Sequence, residues 1–187
     1  MTSGYSRLDP ARLDEVTRRL RAELISGDYC LHATPFRPRG WATVVVGFSL
    51  GGRPDYRSLS AALILKRQAH YYAVSYHSED ERYVVLDAAY EIDADLDYDA
   101  FKRVALGIGF GINGMEFYLF DDTFTWCLAT VVDAQLLTGD VEFMQAWYPE
   151  PGPLQEAVEA YLSWIEEVPV DEPYRRMRAY IALPGAR

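Results

Sequence analysis

Two adjacent aspartates are the residues of this sequence to which a chemical role is most readily assigned. Asp121 and Asp122 stand between two aromatic-rich segments, and Asp133 follows the second segment. Paired carboxylates act as general acid and base, or hold Mg²⁺, in many enzymes. Adjacent side chains on a strand point to opposite faces, however, and hairpin turns use the same residue types for local hydrogen bonds. We therefore interpret Asp121-Asp122 as a turn, with catalysis or metal binding as the alternative.

A second group of carboxylates lies in residues 93–99, which read DADLDYD. An EF-hand calcium loop that began at Asp93 would need glycine at its sixth position and glutamate at its twelfth. This chain has Tyr98 and Val104 at those positions, so the EF-hand register fails. The segment is more typical of a solvated loop that leads into a helix capped by Asp97, and a different divalent-cation site is the alternative.

Residues 109–114 (GFGING) match the dinucleotide-binding pattern G-x-G-x-x-G. That pattern binds a pyrophosphate when a strand precedes it and a helix follows, because the N-terminus of the helix holds the phosphates. Here the sequence predicts a helix before the glycines and a strand after them. We interpret the segment as a flexible loop with a turn at Asn113-Gly114.

Thiol chemistry would use Cys30 with His32, or Cys127 with a histidine elsewhere in the chain. Cys30 and His32 alternate in a predicted loop and could face the same way, but nothing further in the sequence marks them. Cys127 lies inside an apolar strand and is typical of a core residue. The sequence therefore predicts no catalytic residue, no metal site and no cofactor.

The net charge of −10 is distributed unevenly along the 187 residues. Residues 1–82 carry +3, residues 83–172 carry −17 and residues 173–187 carry +4. A negative surface repels phosphates and attracts basic proteins, which disfavours direct binding to nucleic acid. The alternative is an acidic surface that serves only solubility. Four arginines of the first part either bind an anion or, as we favour, form salt bridges with the acidic part: Arg37, Arg39, Arg53 and Arg57.

Hydrophobic periodicity predicts an α+β fold in which helices pack on a mainly antiparallel sheet. Aspartates at three predicted helix starts, Asp9, Asp97 and Asp140, are expected to be N-caps. Further helices are expected over residues 55–68 and 154–167, and strands over 41–50, 70–76, 83–88, 115–120 and 124–132, with a short one at Leu136 and Leu137. We expect one domain over residues 1–168 and a C-terminal arm over residues 169–187.

Two features of the sequence bear on where the protein acts. No run of about 18 apolar residues occurs, so the sequence predicts no transmembrane helix. Arg7, Asp9 and Arg12 stand where an export signal would be apolar. We therefore expect a cytoplasmic protein without a membrane partner.

Residues 120–147 read FDDTFTWCLATVVDAQLLTGDVEFMQAW. They combine an acidic turn, an aromatic strand, a short strand and a Gly-Asp start to an apolar-faced helix. This arrangement resembles the organisation common in small bacterial immunity proteins, which neutralise polymorphic or type VI-delivered toxins. The resemblance implies a cytosolic, non-enzymatic inhibitor that occludes the active site of a cognate toxin, often with acidic side chains.

The leading hypothesis is therefore a protein-binding inhibitor of the immunity type with a basic protein partner. Acidic side chains would steer the encounter, and aromatic side chains among them would supply affinity. The alternatives are a carboxylate- or metal-dependent hydrolase that uses Asp121 and Asp122, and a phage- or secretion-associated adaptor. The expected partner-binding residues are Glu91, Asp93, Asp95, Asp97, Asp99, Asp121, Asp122, Asp140, Glu142, Tyr98 and Trp147.

Overall fold

The computed structural model of the chain describes residues 4–23, 42–46, 53–79, 83–85, 89–107, 116–131 and 134–147, together with residue 163. These residues form an α+β fold in which helices pack on a sheet whose described strand pairings are all antiparallel. The fold class predicted from the sequence is confirmed. The strands are β1 (Tyr5–Arg7), β2 (Ala42–Val46), β3 (His70–Glu79), β4 (Tyr83–Val85), β5 (Ala89–Asp93), β6 (Glu116–Phe120), β7 (Trp126–Val131) and β8 (Ala134–Gly139), and the helices are α1 (Pro10–Glu23), α2 (Arg53–Leu65), α3 (Tyr98–Gly107) and α4 (Val141–Trp147).

The strands are ordered β1-β5-β3-β6-β7-β8-β2, and β4 pairs with the far end of β3. Neighbouring strands alternate in direction, so β3 begins at the end of the sheet where β5 and β6 finish. β7 begins and β8 finishes at that same end, because Trp126 pairs with Gly139. The helices α3 and α4 follow β5 and β8 directly in the chain, so both begin there as well.

One face of the sheet, the core face, packs against α2, α3 and α4. Its centre is aromatic: Trp126 stacks on Phe143 with ring centroids 4.9 Å apart, and Tyr56 stacks on Phe101 at 4.3 Å. Stacked rings in a dry core add to the stabilisation that burial of their apolar area provides. The core-face cluster also includes Tyr71, which is fully buried.

The opposite face, the α1 face, carries the alternate residues of the same strands. Tyr72 of β3 is buried there, and Arg12 of α1 donates a hydrogen bond to its hydroxyl. The helix buries Val16 and Leu20 at a spacing of one turn, as its sequence periodicity predicts. The N-cap at Asp9 is also confirmed, since the backbone N–H of Arg12 donates to its Oδ1 at 2.9 Å.

Two described strands, β1 and β5, are absent from the sequence prediction, and β3 extends to Glu79, beyond its predicted end at residue 76. Of the predicted strand over residues 83–88, the structure describes Tyr83–Val85, which form β4, and a further strand, β5, covers Ala89–Asp93. In β5 the apolar residues Tyr90 and Ile92 face the core, whereas Glu91 and Asp93 lie on the α1 face. Because two of its five residues are acidic, this segment reads as a polar loop in the sequence. Its pairing with β1 on one side and β3 on the other makes it a strand.

Several predicted segments lie outside the described residues. They include the C-terminal arm over residues 169–187 and, apart from residue 163, the helix over 154–167. Within the described ranges, none of the helices combines the length and the apolar character needed to cross a membrane.

Candidate functional site

The fold brings the predicted acidic residues to one end of the sheet. The end of β5, the β6–β7 turn and the start of α4 meet there, because the strands that carry them alternate in direction. Four strand intervals of about 4.8 Å separate β5 from β8, so the carboxylates spread over about 19 Å. We call this surface the acidic end, and its members are Glu91, Asp93, Asp95, Asp97, Asp99, Asp122, Asp140 and Glu142.

Most members of the acidic end are accessible to solvent. Those within residues 93–99, which we call the β5–α3 segment, are exposed: Asp93, Asp95, Asp97 and Asp99. Glu142 is exposed as well, and its carboxylate forms a salt bridge 2.7 Å long with Lys66. The ion pair lowers the pKa of Glu142, so this carboxylate stays charged at neutral pH.

Two predicted partner-binding residues do not belong to this surface. Trp147 is only 1% exposed and packs edge-on against Trp126 and Phe143 in the core. Its ring therefore fills the core and presents no face to a partner. Asp121 is also buried, with 0% exposure.

Asp121 organises the β6–β7 turn. Its carboxylate accepts hydrogen bonds from the hydroxyl groups of Thr123 at 2.8 Å and Thr125 at 2.9 Å, and from the backbone N–H of Thr125 at 3.2 Å. A buried carboxylate with three donors is a structural element whose removal takes a shared acceptor away from all three. The turn interpretation of this residue agrees with its contacts.

Asp122 is the centre of a cluster on the α1 face. Its Oδ1 accepts hydrogen bonds from Arg19 at 2.9 Å, Tyr72 at 3.1 Å and Arg12 at 3.2 Å. Its Oδ2 lies 2.8 Å from Nε2 of His70. Arg19 also donates to the backbone carbonyl of Asp122, so the turn and the helix are joined twice. We call these five residues the Asp122 cluster.

The Asp122 cluster and the adjacent Glu15 together hold two arginines and two carboxylates, whose formal charges cancel. Burial alone would raise the pKa of Asp122, but the hydrogen bonds and positive charge of its partners outweigh burial and lower it. Arg12 also forms a salt bridge 2.5 Å long with Glu15, which raises the pKa of the arginine. Burial raises the pKa of Tyr72 to about 12, so its hydroxyl stays protonated near neutral pH. The cluster joins α1 to the sheet, and its carboxylate is the ionised acceptor of four donors rather than a proton donor.

Two acids of the acidic end also have local structural roles. Asp97 is the N-cap of α3, because its Oδ1 accepts from the backbone N–H of Ala100 at 2.9 Å. Asp140 caps α4 in the same way through the N–H of Phe143 at 2.6 Å. Both caps are as the sequence predicts. Their carboxylates also place negative charge near the positive ends of the two helices.

A cavity of about 370 Å³ opens beside the acidic end, between α2 and the β5–α3 segment. Its wall is partly apolar, through Tyr56, Ile64 and Leu96. Three carboxylates and one arginine complete the lining together with smaller residues: Asp95, Asp97, Asp99, Arg57, Ser60, Ala61 and Tyr98. Cavities of this size hold small molecules or single side chains of a partner.

Comparison of the chain with protein-family models, with curated proteins and with solved structures finds no match. The case for a function therefore depends on the geometry of the acidic end, the Asp122 cluster and the cavity.

The other motifs of the sequence have less support as sites. Cys127 is buried with 0% exposure, and burial raises the pKa of its thiol, so it is the expected core residue. The glycines of 109–114 lie outside the described residues, but the flanking elements are the helix α3 and the strand β6, in the predicted order. Cys30 and His32 also lie outside them. Among the described residues, no group of three or more His, Cys, Asp or Glu side chains is placed to hold a metal ion.

Sequence reasoning missed the basic half of the Asp122 cluster and the wall of the cavity. Arg12 and Arg19 are 110 and 103 residues away from Asp122, and His70 is 52 residues away. No local pattern relates positions so far apart. The spacing of Arg12 and Arg19 by seven residues on one helix face is the single signal that could have paired them with one carboxylate.

Proposed function

We propose that this chain is a non-enzymatic, protein-binding inhibitor whose acidic end docks on a basic protein partner. The observation that supports the proposal is the convergence of three acidic segments, separated in sequence, at one end of the sheet. The proposal follows the immunity proteins that residues 120–147 resemble, and the partner would then be a cognate toxin. In this proposal the protein acts in the cytoplasm and needs no cofactor.

The electrostatics of the acidic end favour a protein partner with a basic cleft. Exposed carboxylates of one sign raise the rate of encounter with an oppositely charged surface and impose a strong dependence on salt. They also oppose the approach of nucleic acid, whose phosphates carry the same sign. A toxin that acts on nucleic acid or nucleotides presents the complementary basic surface.

The hydrolase alternative has weaker support. Asp121 is buried and bonded within its own turn, and Asp122 already accepts bonds from two arginines. A general acid needs a pKa near the working pH, whereas the pKa of Asp122 is lowered. The described residues near Asp122 are also committed to one another rather than to an open pocket.

The proposal is tested by isolating the partner and measuring how the acidic end affects binding. Wild-type chain immobilised on beads is exposed to lysate of the native cell, and the captured protein is purified and assayed for its own activity. We expect the chain to inhibit that activity and the association rate to fall about tenfold or more between low salt and 0.5 M salt. A captured protein whose activity is unaffected by the chain would exclude inhibition and favour an adaptor.

Matched double variants distinguish the effect of the acidic end on association from the effect of the total charge. Asp93→Asn with Asp95→Asn removes two carboxylates of the acidic end, and Asp14→Asn with Glu79→Gln changes one position on α1 and one at the far end of β3. The first pair should slow association at least tenfold, and the second should change it less than twofold. Equal effects of the two pairs would show that only net charge matters and that the acidic end is not the binding surface.

A further inference from the structure

The cavity between α2 and the β5–α3 segment has features of a receptor for one particular side chain. Its wall includes the apolar surface of Leu96, which is 8% exposed, and the ring of Tyr56, which is 2% exposed. Tyr98 lies beside Tyr56 with ring centroids 5.9 Å apart. An apolar and aromatic wall suits a long side chain with a flat, weakly hydrated head group.

Two hydroxyl groups at the cavity donate their protons within the protein. Tyr56 donates its hydroxyl proton to the carbonyl of Leu96 at 2.8 Å, and Ser60 donates to the carbonyl of Ala94. Both protons are therefore used inside the protein. Besides the hydroxyl of Tyr98, the charged side chains of the lining offer acceptors at three carboxylates and donors at the guanidinium of Arg57.

The charge of the cavity is negative. Asp95, Asp97 and Asp99 line it against the single positive charge of Arg57. Burial raises the pKa of Tyr56 to about 12, and the negative charges of Asp97 and Asp95 add to that rise. A cation of the chain already lies near an aromatic ring here, because Nζ of Lys102 is 5.7 Å from the ring centroid of Tyr98.

An exposed apolar pair adjoins the same cavity. Ile64 lines the cavity and is 56% exposed, and its neighbour Leu65 is 70% exposed. They are the large hydrophobic side chains that stand exposed among the described residues. Exposed apolar residues next to a pocket and rimmed by charge are typical of a protein-binding surface.

We propose that this cavity receives an arginine side chain of the basic partner, with an apolar neighbour of that arginine packed on Ile64 and Leu65. Arginine supplies five donors and no acceptor, so it complements the acceptors of the cavity. Its flat head group stacks on aromatic rings, and buried arginines are frequent anchors of protein interfaces. This inference rests on the proposed function, since it names the group of the partner that the acidic end recognises.

The test uses a small probe, so it does not depend on knowing the partner. The ¹⁵N-labelled chain is titrated with N-acetyl-arginine amide and, separately, with N-acetyl-citrulline amide, which has the same shape without the charge. We expect saturable shifts of the amide signals of residues 56–61 and 95–99 with arginine, at a dissociation constant of about 1 mM. Citrulline should bind at least tenfold more weakly. Equal shifts with both probes, or shifts spread over the whole acidic end, would overturn the proposal.

Exposed positions provide variants that preserve the fold. Asp95→Asn and Ile64→Ser should each weaken arginine binding at least threefold, whereas Glu142→Gln, at the acidic end but outside the cavity, should leave it unchanged. An equal effect of Glu142→Gln would show unspecific attraction and contradict the proposal. If arginine bound only after Arg175, Arg176 and Arg178 were changed to glutamine, the occupant would be the arm of this chain and not a partner.

The partner assay separates this inference from the proposed function. If Asp93→Asn weakens partner binding and neither Asp95→Asn nor Ile64→Ser does, the acidic end binds the partner and the cavity does not receive its anchor. If the probe binds as expected but no inhibited partner exists, the cavity is an arginine site and the proposed function is wrong.

Discussion

Asp121 and Asp122 are neighbours in the chain, but their carboxylates belong to two separate hydrogen-bond networks. Asp121 is buried and accepts from Thr123 and Thr125 of its own turn. Asp122 is about one-third exposed, and its partners come from α1 and β3. The pair therefore does not act as two carboxylates on one substrate, and each residue has its own testable consequence.

Replacement of Asp122 should make stability depend less on pH. The pKa of Asp122 is lowered in the folded protein, so its ionised form stabilises the fold above the ordinary value of 3.8, and this contribution is lost as pH falls through the folded pKa. At pH 7, Asp122→Asn should lower the free energy of unfolding by about 1 kcal/mol, because the cluster is partly exposed and screened. Urea unfolding of both proteins from pH 7 to pH 3 should show the difference shrinking below about pH 4. If the difference in the free energy of unfolding between the two proteins were constant over this range, the role of the charge would be contradicted. Asp14→Asn, at an exposed position, is the control.

Removal of the Asp121 carboxylate should destabilise the β6–β7 turn. Asp121→Ala leaves the hydroxyl groups of Thr123 and Thr125 without their acceptor, at a cost of about 1–3 kcal/mol in the free energy of unfolding. Asp121→Asn keeps one acceptor oxygen and should lose less. Chemical denaturation monitored by tryptophan fluorescence measures both. A wild-type midpoint for the alanine variant would show that the turn holds without the carboxylate.

Two variants of Asp97 distinguish its capping role from the effect of its charge. Asp97→Ala should lower the free energy of unfolding by about 1 kcal/mol, because the N–H of Ala100 loses its acceptor. Asp97→Asn should be near wild type, since asparagine caps helices as well as aspartate does. Asp95→Ala, at an exposed position two residues before the cap, is the control. If the asparagine variant were as unstable as the alanine variant, the charge near the helix end, and not the cap, would be the stabilising element.

Arg67 is a position where glycine should stabilise the protein. The residue follows α2 with a φ of 58°, and its N–H donates to the carbonyl of Ile64 at 2.9 Å while that of Gln68 donates to Leu63 at 2.9 Å. These two bonds form a Schellman motif, whose left-handed position is most often glycine. Arg67→Gly should therefore raise the free energy of unfolding by about 1 kcal/mol. Arg67→Ala keeps the backbone strain and should not raise the free energy of unfolding. A glycine variant less stable than the wild type would show that contacts of the arginine side chain outweigh the strain.

The sequence by itself determined the local structure. Caps at Asp9, Asp97 and Asp140 were predictable because the acceptor and the N–H groups it serves lie within three residues of each other. The helices and most strands were predictable because their apolar periodicity is also a local pattern. The core position of Cys127 was predictable from its place inside an apolar strand. The prediction failed for Trp147, because periodicity cannot distinguish an aromatic anchor at the surface from an aromatic in the core.

The tertiary structure alone decided which distant residues meet. It brought Arg12, Arg19 and His70 around Asp122, and it formed the cavity between α2 and the β5–α3 segment. Strand order is set by which apolar faces pack together over the whole chain, and no short segment carries that information. The acidic run was therefore visible in the sequence as composition, but its position at one end of the sheet and the cavity beside it came from the order of the strands.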